Sequence, residues 1–188
     1  MNIPEIKRRL IDGNLRFVAD KLDGKFQNSY RRDELTSGQE PYAIILSCAD
    51  SRVVPELIFD TGLGELFVVR VAGNVANRSS LASIEFAAAH CGSKVIVVLG
   101  HQSCGAVTAA INGGDNGSNL NHLLSHITPA LNATKPGATV NDVTKKNAEL
   151  TARELTNRSE IIDNSVKNGT VEILAAYYNL DSGKVDFL

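Results

Sequence analysis

Residues 79–100, SSLASIEFAAAHCGSKVIVVLG, set a helix and a strand back to back. Residues 79–92 have a serine start and a glycine stop around alanines and larger apolar residues, which predicts a helix. KVIVVLG (94–100) then runs apolar without alternation, at strand length. A strand that is apolar at every position is buried on both faces, as in a parallel sheet between helices. YAIILSC (42–48), ELFVVRVAG (65–73) and VEILAAYY (171–178) read the same way. Strands that alternate with helices predict an α/β fold. We expect a mainly parallel sheet of four strands, flanked by helices, with a short edge strand from the closing NLDSGKVDFL.

The flanks follow from periodicity. Ile11, Leu15, Val18 and Leu22 recur at helical spacing and predict an N-terminal helix over 5–22. The polar, turn-rich stretch 23–41 has little core of its own. The first helix is therefore expected to extend from the body, onto a partner subunit. Leu120, Leu123, Leu124, Ile127 and Leu131 predict another helix, and 140–167 reads as helical but polar. NGGDNGSN (112–119) reads as a loop. With no repeat and no low-complexity tract, one domain is expected over 1–188: a helical arm (1–38) and an α/β core (39–188).

Net charge −2 and a pI near 6.1 argue against nucleic acid as the main partner. No apolar run reaches the length of a membrane span. The charged start MNIPEIKRRL has no apolar signal region, so a cytoplasmic location is expected, although a removed targeting segment would leave no trace here. Three cysteines, Cys48, Cys91 and Cys104, suit reduced thiols better than a disulfide framework.

Ligands in such sheets bind at the carboxyl ends of strands. Two of those ends carry unusual chemistry. LSCADSRVVPE (46–56) supplies Cys48, Asp50 and Arg52, and GHQSCG (100–105) supplies His101 and Cys104. If the two strands are neighbours, two thiols, an imidazole and a carboxylate converge, a donor set that suits tetrahedral Zn²⁺. Cys104 stands at the first turn of a helix, where the thiolate is favoured. Gly100 and Gly105 permit tight backbone there. A lone cysteine after a strand is ordinarily a small core residue, and His-x-x-Cys alone is a weak signal. Both motifs at two strand ends together favour the metal. Cys91 has no such company and is expected in the core. His90, His122 and His126 are expected on helices, as surface or core residues.

CADSR followed by HQSC resembles the Cys-x-Asp-x-Arg … His-x-x-Cys signature of the β-class carbonic anhydrases. ELFVVRVAGN and SIEFAAAHCGSKVIVVLGHQSCGAV extend the resemblance, which is densest over 39–110. It implies reversible hydration of CO₂ to bicarbonate and a proton, by attack of zinc-bound hydroxide on CO₂ in an apolar pocket. It also implies one Zn²⁺ per subunit and a homodimer or homotetramer built through the N-terminal arm. Carried over by position, Cys48, His101 and Cys104 are the metal ligands. Arg52 holds Asp50 off the metal in an open state, and Asp50 is the fourth ligand in a closed one. Gln39, Phe67, Ala72, Phe86 and Gly105 are the implied substrate-binding residues, with Tyr30 a candidate for the pocket rim. Ile45 stands where the bicarbonate-inhibited variant has Trp, and the chain has no Trp. With Gln39 present, the resemblance is to the plant-like, open-site variant. Ala72 replaces a larger aliphatic and Phe86 a Tyr. Two alternatives share the motif: a carbon disulfide or carbonyl sulfide hydrolase on the same scaffold, and a non-catalytic module stapled by zinc. Arg52 and Gln39 weigh against the second.

Overall fold

A computed structural model describes residues 1–188. In chain order the helices and strands are α1 (Ile3–Val18), α2 (Ser29–Glu34), β1 (Ala43–Ser47), α3 (Pro55–Ile58), β2 (Leu66–Arg70), α4 (Arg78–His90), β3 (Val95–His101), α5 (Gly105–Asn112), α6 (Ser118–Ser125), α7 (Thr128–Ala133), α8 (Val140–Arg158), α9 (Glu160–Lys167), β4 (Glu172–Tyr178) and β5 (Val185–Phe187). The strands form one sheet in the order β2-β1-β3-β4-β5. The first four run parallel, and β5 pairs antiparallel to β4 at one edge, with β2 at the other. No helix is long and apolar enough to cross a membrane.

The continuous apolar runs are explained by burial on both sides. Ala43, Ile45, Val95, Val97 and Leu99 face one layer, with Ile6 and Leu10 of α1 and Ile58 of α3. Ile44, Leu46, Ile96 and Val98 face the other, under Ile84 of α4, Ala148 and Leu155 of α8, and Ile162 of α9. A third, smaller cluster caps the carboxyl ends of β1 and β3. It joins Cys48 and Cys104 to Val75, Val107, Leu124, Ile127 and Val143.

The first helix does not extend from the body. It starts on a capping box: Asn2 Oδ1 accepts from the Glu5 amide (2.9 Å) and Glu5 Oε2 accepts from the Asn2 amide (2.8 Å). It then lies on its own sheet. Burial of Ile6 and Leu10 contributes about 1.5–3 kcal/mol each. Asn14, also buried, donates to Ile58 O (3.1 Å) and Gly183 O (2.8 Å) and accepts from the Val185 amide (2.8 Å). The predicted stripe of Ile11, Leu15 and Val18 is real but is the exposed one, and Leu22 lies beyond the helix end, also exposed. The helix stops early because Asp20 turns to a φ of 54°.

Other boundaries shift for local reasons. Asn77, not a serine, caps α4, accepting from the Ser80 amide. Pro129 lacks an amide proton, and the single helix expected over 120–131 is two. Ser159 is extended and caps α9, which divides the 140–167 segment. The polar stretch 23–41 contains α2, capped by Asn28. Cys91 ends α4 half-buried instead of sitting in the core.

Candidate metal centre

β1 and β3 are direct neighbours, with Ser47 opposite Leu99. Their carboxyl ends therefore open side by side. Cys48 follows β1, His101 closes β3, and Cys104 is the residue that precedes α5. All three are buried, and their Sγ and ring-nitrogen donor atoms lie within 4.8 Å of one another.

The imidazole is set for a metal. His101 Nδ1 lies 3.0 Å from Gln102 O, and since a carbonyl only accepts, Nδ1 carries the proton. Nε2 is left with its lone pair, fully buried and without a hydrogen-bond partner. A buried acceptor without a partner is costly, and a cation at this point would satisfy it. The thiols agree. Cys48 is drawn well below the ordinary thiol range by the Cys104 thiol, with further help from the Gly73 amide. Cys104 is pushed well above it, because Cys48 holds its proton and burial opposes a second charge. The pair readily yields one thiolate, and a divalent cation supplies the field for the other.

Asp50 and Arg52 stand at the rim. Arg52 grips the carboxylate through Nε to Oδ1 (2.9 Å), Nη2 to Oδ2 (2.7 Å) and its own amide to Oδ1 (3.0 Å). The guanidinium holds Asp50 far below the usual carboxylate range, against the effect of burial. Asp50 Oδ2 is 3.9 Å from His101 Nε2. Arg52 Nη2 also reaches Ser103 O (3.4 Å), linking the two motifs.

Several residues around the centre carry no signal in the motifs. Gly73 donates its amide to Cys48 Sγ (3.3 Å). Its φ is 69°, the left-handed region that favours glycine, and a Cβ there would press on Ile127 Cδ1 at 2.9 Å. Ser103, at a φ of 54°, is pinned by its amide to Asn141 Oδ1 (3.0 Å). Gln102 and Asp181 exchange two hydrogen bonds of 3.2 Å. The only hint of Gly73 in sequence is the AGN turn after an apolar run.

The structure divides the implied substrate residues. Ala72 opens the turn that carries Gly73, and Gly105 opens α5 beside Cys104 with nothing within 4 Å of where its side chain would be. Gln39 lies elsewhere. It lines a hollow with Tyr42, His90 and Cys91 before the start of β1, whereas Cys48 follows its end. At about 3.3 Å per residue, a strand carries these two positions to opposite ends of the sheet. Phe67 packs against Phe86 (ring centres 6.2 Å apart), and Phe86 against His90 (5.3 Å). Gln39, Phe86 and Phe67 thus share one patch through His90, away from their own chain's donor set. Tyr30 is exposed on α2.

Residues 43–185 match the model of a family described as Carbonic anhydrase. A carbonic anhydrase of Mycolicibacterium smegmatis is 38% identical over 185 residues, covering 95% of this chain and 90% of that one. Among solved structures, the β-carbonic anhydrase CafA of Aspergillus fumigatus superposes with a TM-score of 0.73 at 28% identity, over 84% of this chain and 79% of that one. One of two tetrameric β-carbonic anhydrases from Sordaria macrospora shares the fold, with a TM-score of 0.73 at 24% identity over 98% and 97% of the two chains.

Proposed function

This chain belongs to the carbonic anhydrase family, in its β-class, and on that premise we propose that it hydrates CO₂ reversibly to bicarbonate and a proton with one Zn²⁺ held by Cys48, His101 and Cys104. The observation that carries the reading is the buried donor set, within 4.8 Å, whose imidazole nitrogen has no protein partner. Zinc, when bound, supplies a Lewis acid that makes water a nucleophile near neutral pH, an effect for which carbonic anhydrases are the standard illustration.

The chain's own residues do the rest. The Cys48 and Cys104 thiolates would balance a dipositive ion, and a third anion on it would close the centre. Arg52 prevents this by engaging both oxygens of Asp50. Asp50, so held, accepts a hydrogen bond from incoming water and aims its lone pair at CO₂. Apolar walls suit a substrate with no net dipole. Ile45 in the Trp position supports the plant-like, open-site variant.

Gln39 serves as a substrate-pocket residue for a neighbouring copy's centre, since it precedes β1 while its own donor set follows that strand's end, and Phe86 and Phe67 join it through His90. This makes the working unit a homodimer or homotetramer. The exposed stripe Ile11, Leu15 and Val18 on the N-terminal arm supports such assembly. Ala72 and Gly105 line the pocket from the chain that holds the metal.

The test is stopped-flow CO₂ hydration alongside metal analysis. Cys48→Ser and His101→Ala are each expected to lose zinc and hydration together. Full activity in a zinc-free variant would overturn the assignment. Parallel assays with carbonyl sulfide and carbon disulfide settle the substrate.

A further inference from the structure

We infer that Arg70 is a positioning residue that fixes the backbone carrying both the ligand Cys48 and the carboxylate Asp50. The inference rests on the metal-site reading above. The β1–β2 ladder ends with Ser47 opposite Arg70, and its last backbone bond runs from the Val71 amide to Ser47 O (3.0 Å). Beyond it the chain turns: the Cys48 carbonyl has no strand partner, and the Asp50 carbonyl has only a turn bond from the Val53 amide (3.0 Å). The Arg70 guanidinium takes them over: Nε donates to Cys48 O (3.2 Å) and Nη2 to Asp50 O (2.7 Å). One planar fork extends the ladder past its end and spans the whole turn.

The two arginines divide the work. Arg52 holds the Asp50 carboxylate, and Arg70 holds the peptides from which both functional side chains project. The Cys48 side chain takes the Gly73 amide on Sγ while its carbonyl is tied to Arg70. The residue is therefore gripped from both ends.

Arg70 is exposed on an edge strand, so its removal costs little burial. Water replaces it at the two carbonyls, but water does not fix their relative orientation. The consequence falls on the centre. Loss of an outer partner of a metal ligand typically costs about 10–100-fold in metal affinity. A second reading of Arg70 is purely electrostatic, a cation near the Cys48 end of the donor set. Lysine keeps that charge without the fork.

The experiment measures zinc affinity by competition with a chromophoric chelator, and the visible spectrum of the Co²⁺-substituted protein, for wild type, Arg70→Ala and Arg70→Lys. Arg70→Ala is expected to bind zinc about 10–100-fold more weakly with an altered Co²⁺ spectrum. Arg70→Lys is expected to recover only a minor part of both. The melting midpoint of the metal-free protein is expected to stay in place. Wild-type affinity and spectrum in Arg70→Ala overturn the inference. So does full recovery in Arg70→Lys, which assigns the effect to charge, and so does a matching fall in metal-free stability, which assigns it to the fold. A wild-type protein that takes up no zinc fails the underlying reading instead, and is distinguishable from all three.

Discussion

Asp50 and Arg52 are two residues apart and exert opposite pulls on the centre. The carboxylate is itself a zinc ligand by chemistry, and the Arg52 guanidinium, at 2.7–2.9 Å, is the cation that competes for it, helped by the Arg52 amide at 3.0 Å. Arg52→Ala is therefore expected to keep its zinc while CO₂ hydration at neutral pH falls by about tenfold or more, the scale of losing a partner that orients a metal ligand. Metal analysis beside stopped-flow rates checks both halves. A structure of the variant with Asp50 still clear of the metal would contradict the account. At this scale the sequence is legible where the chemistry needs rare residue types at close spacing, as in CADSR and HQSC. It is not legible for Arg70, Asn141 or Asp181. These are ordinary polar residues whose importance lies in which carbonyl or amide they meet.

Helix α1 shows how little of an element's docking is written in its apolar period. Periodicity identifies the helix, but Gly13 and Asn14 decide where it lies. A methyl group on Gly13 would sit 1.9 Å from Phe59 O, in the path of backbone that cannot step aside. Gly13→Ala is expected to destabilise the protein by about 1–3 kcal/mol, read from the denaturant midpoint. The following turn is held by Asp60, whose side chain is 2% exposed. Burial alone would raise its pKa, but donors from the Asp23 amide, Arg16 and the Gly24 amide lower it. The folded value thus lies below the unfolded one, near 3.9. Its contribution is present above about pH 4 and is lost as pH falls through the lowered folded value. Asp60→Asn, which tolerates the positive φ at this position, is expected to lower stability at neutral pH and to flatten its acid decline, measured as melting temperature against pH. The strands are the most legible elements, because burial on both faces leaves an unbroken apolar run. The break at Pro129 is hidden by an apolar period that runs on to Leu131, and the one at Ser159 falls in a polar segment with no clear period to interrupt.

The whole molecule separates donor set and pocket patch by the length of the sheet. On the proposed function, a chain whose donor set and Gln39 lie at opposite ends of β1 would complete its substrate site across a boundary between copies. This yields a test independent of any interface model. Cys48→Ser subunits lack a metal centre, and Gln39→Ala subunits lack a pocket donor. Mixed and reassembled, they are expected to regain up to a quarter to a half of wild-type activity per centre, on the order set by random pairing in a symmetric oligomer. A mixture no more active than the mean of its two parents would place Gln39 outside any site shared between copies.

The long separation of the donors in sequence, from Cys48 to His101 and Cys104, also orders events in time. Only the last two are local. The third arrives when β1 and β3 zip together, after the intervening crossover through α4 has closed a large loop. On the proposed function, zinc would therefore not nucleate this fold in the way it organises a short finger peptide. It would enter a sheet already paired, and its removal is expected to leave the chain folded, which circular dichroism of the metal-free protein checks.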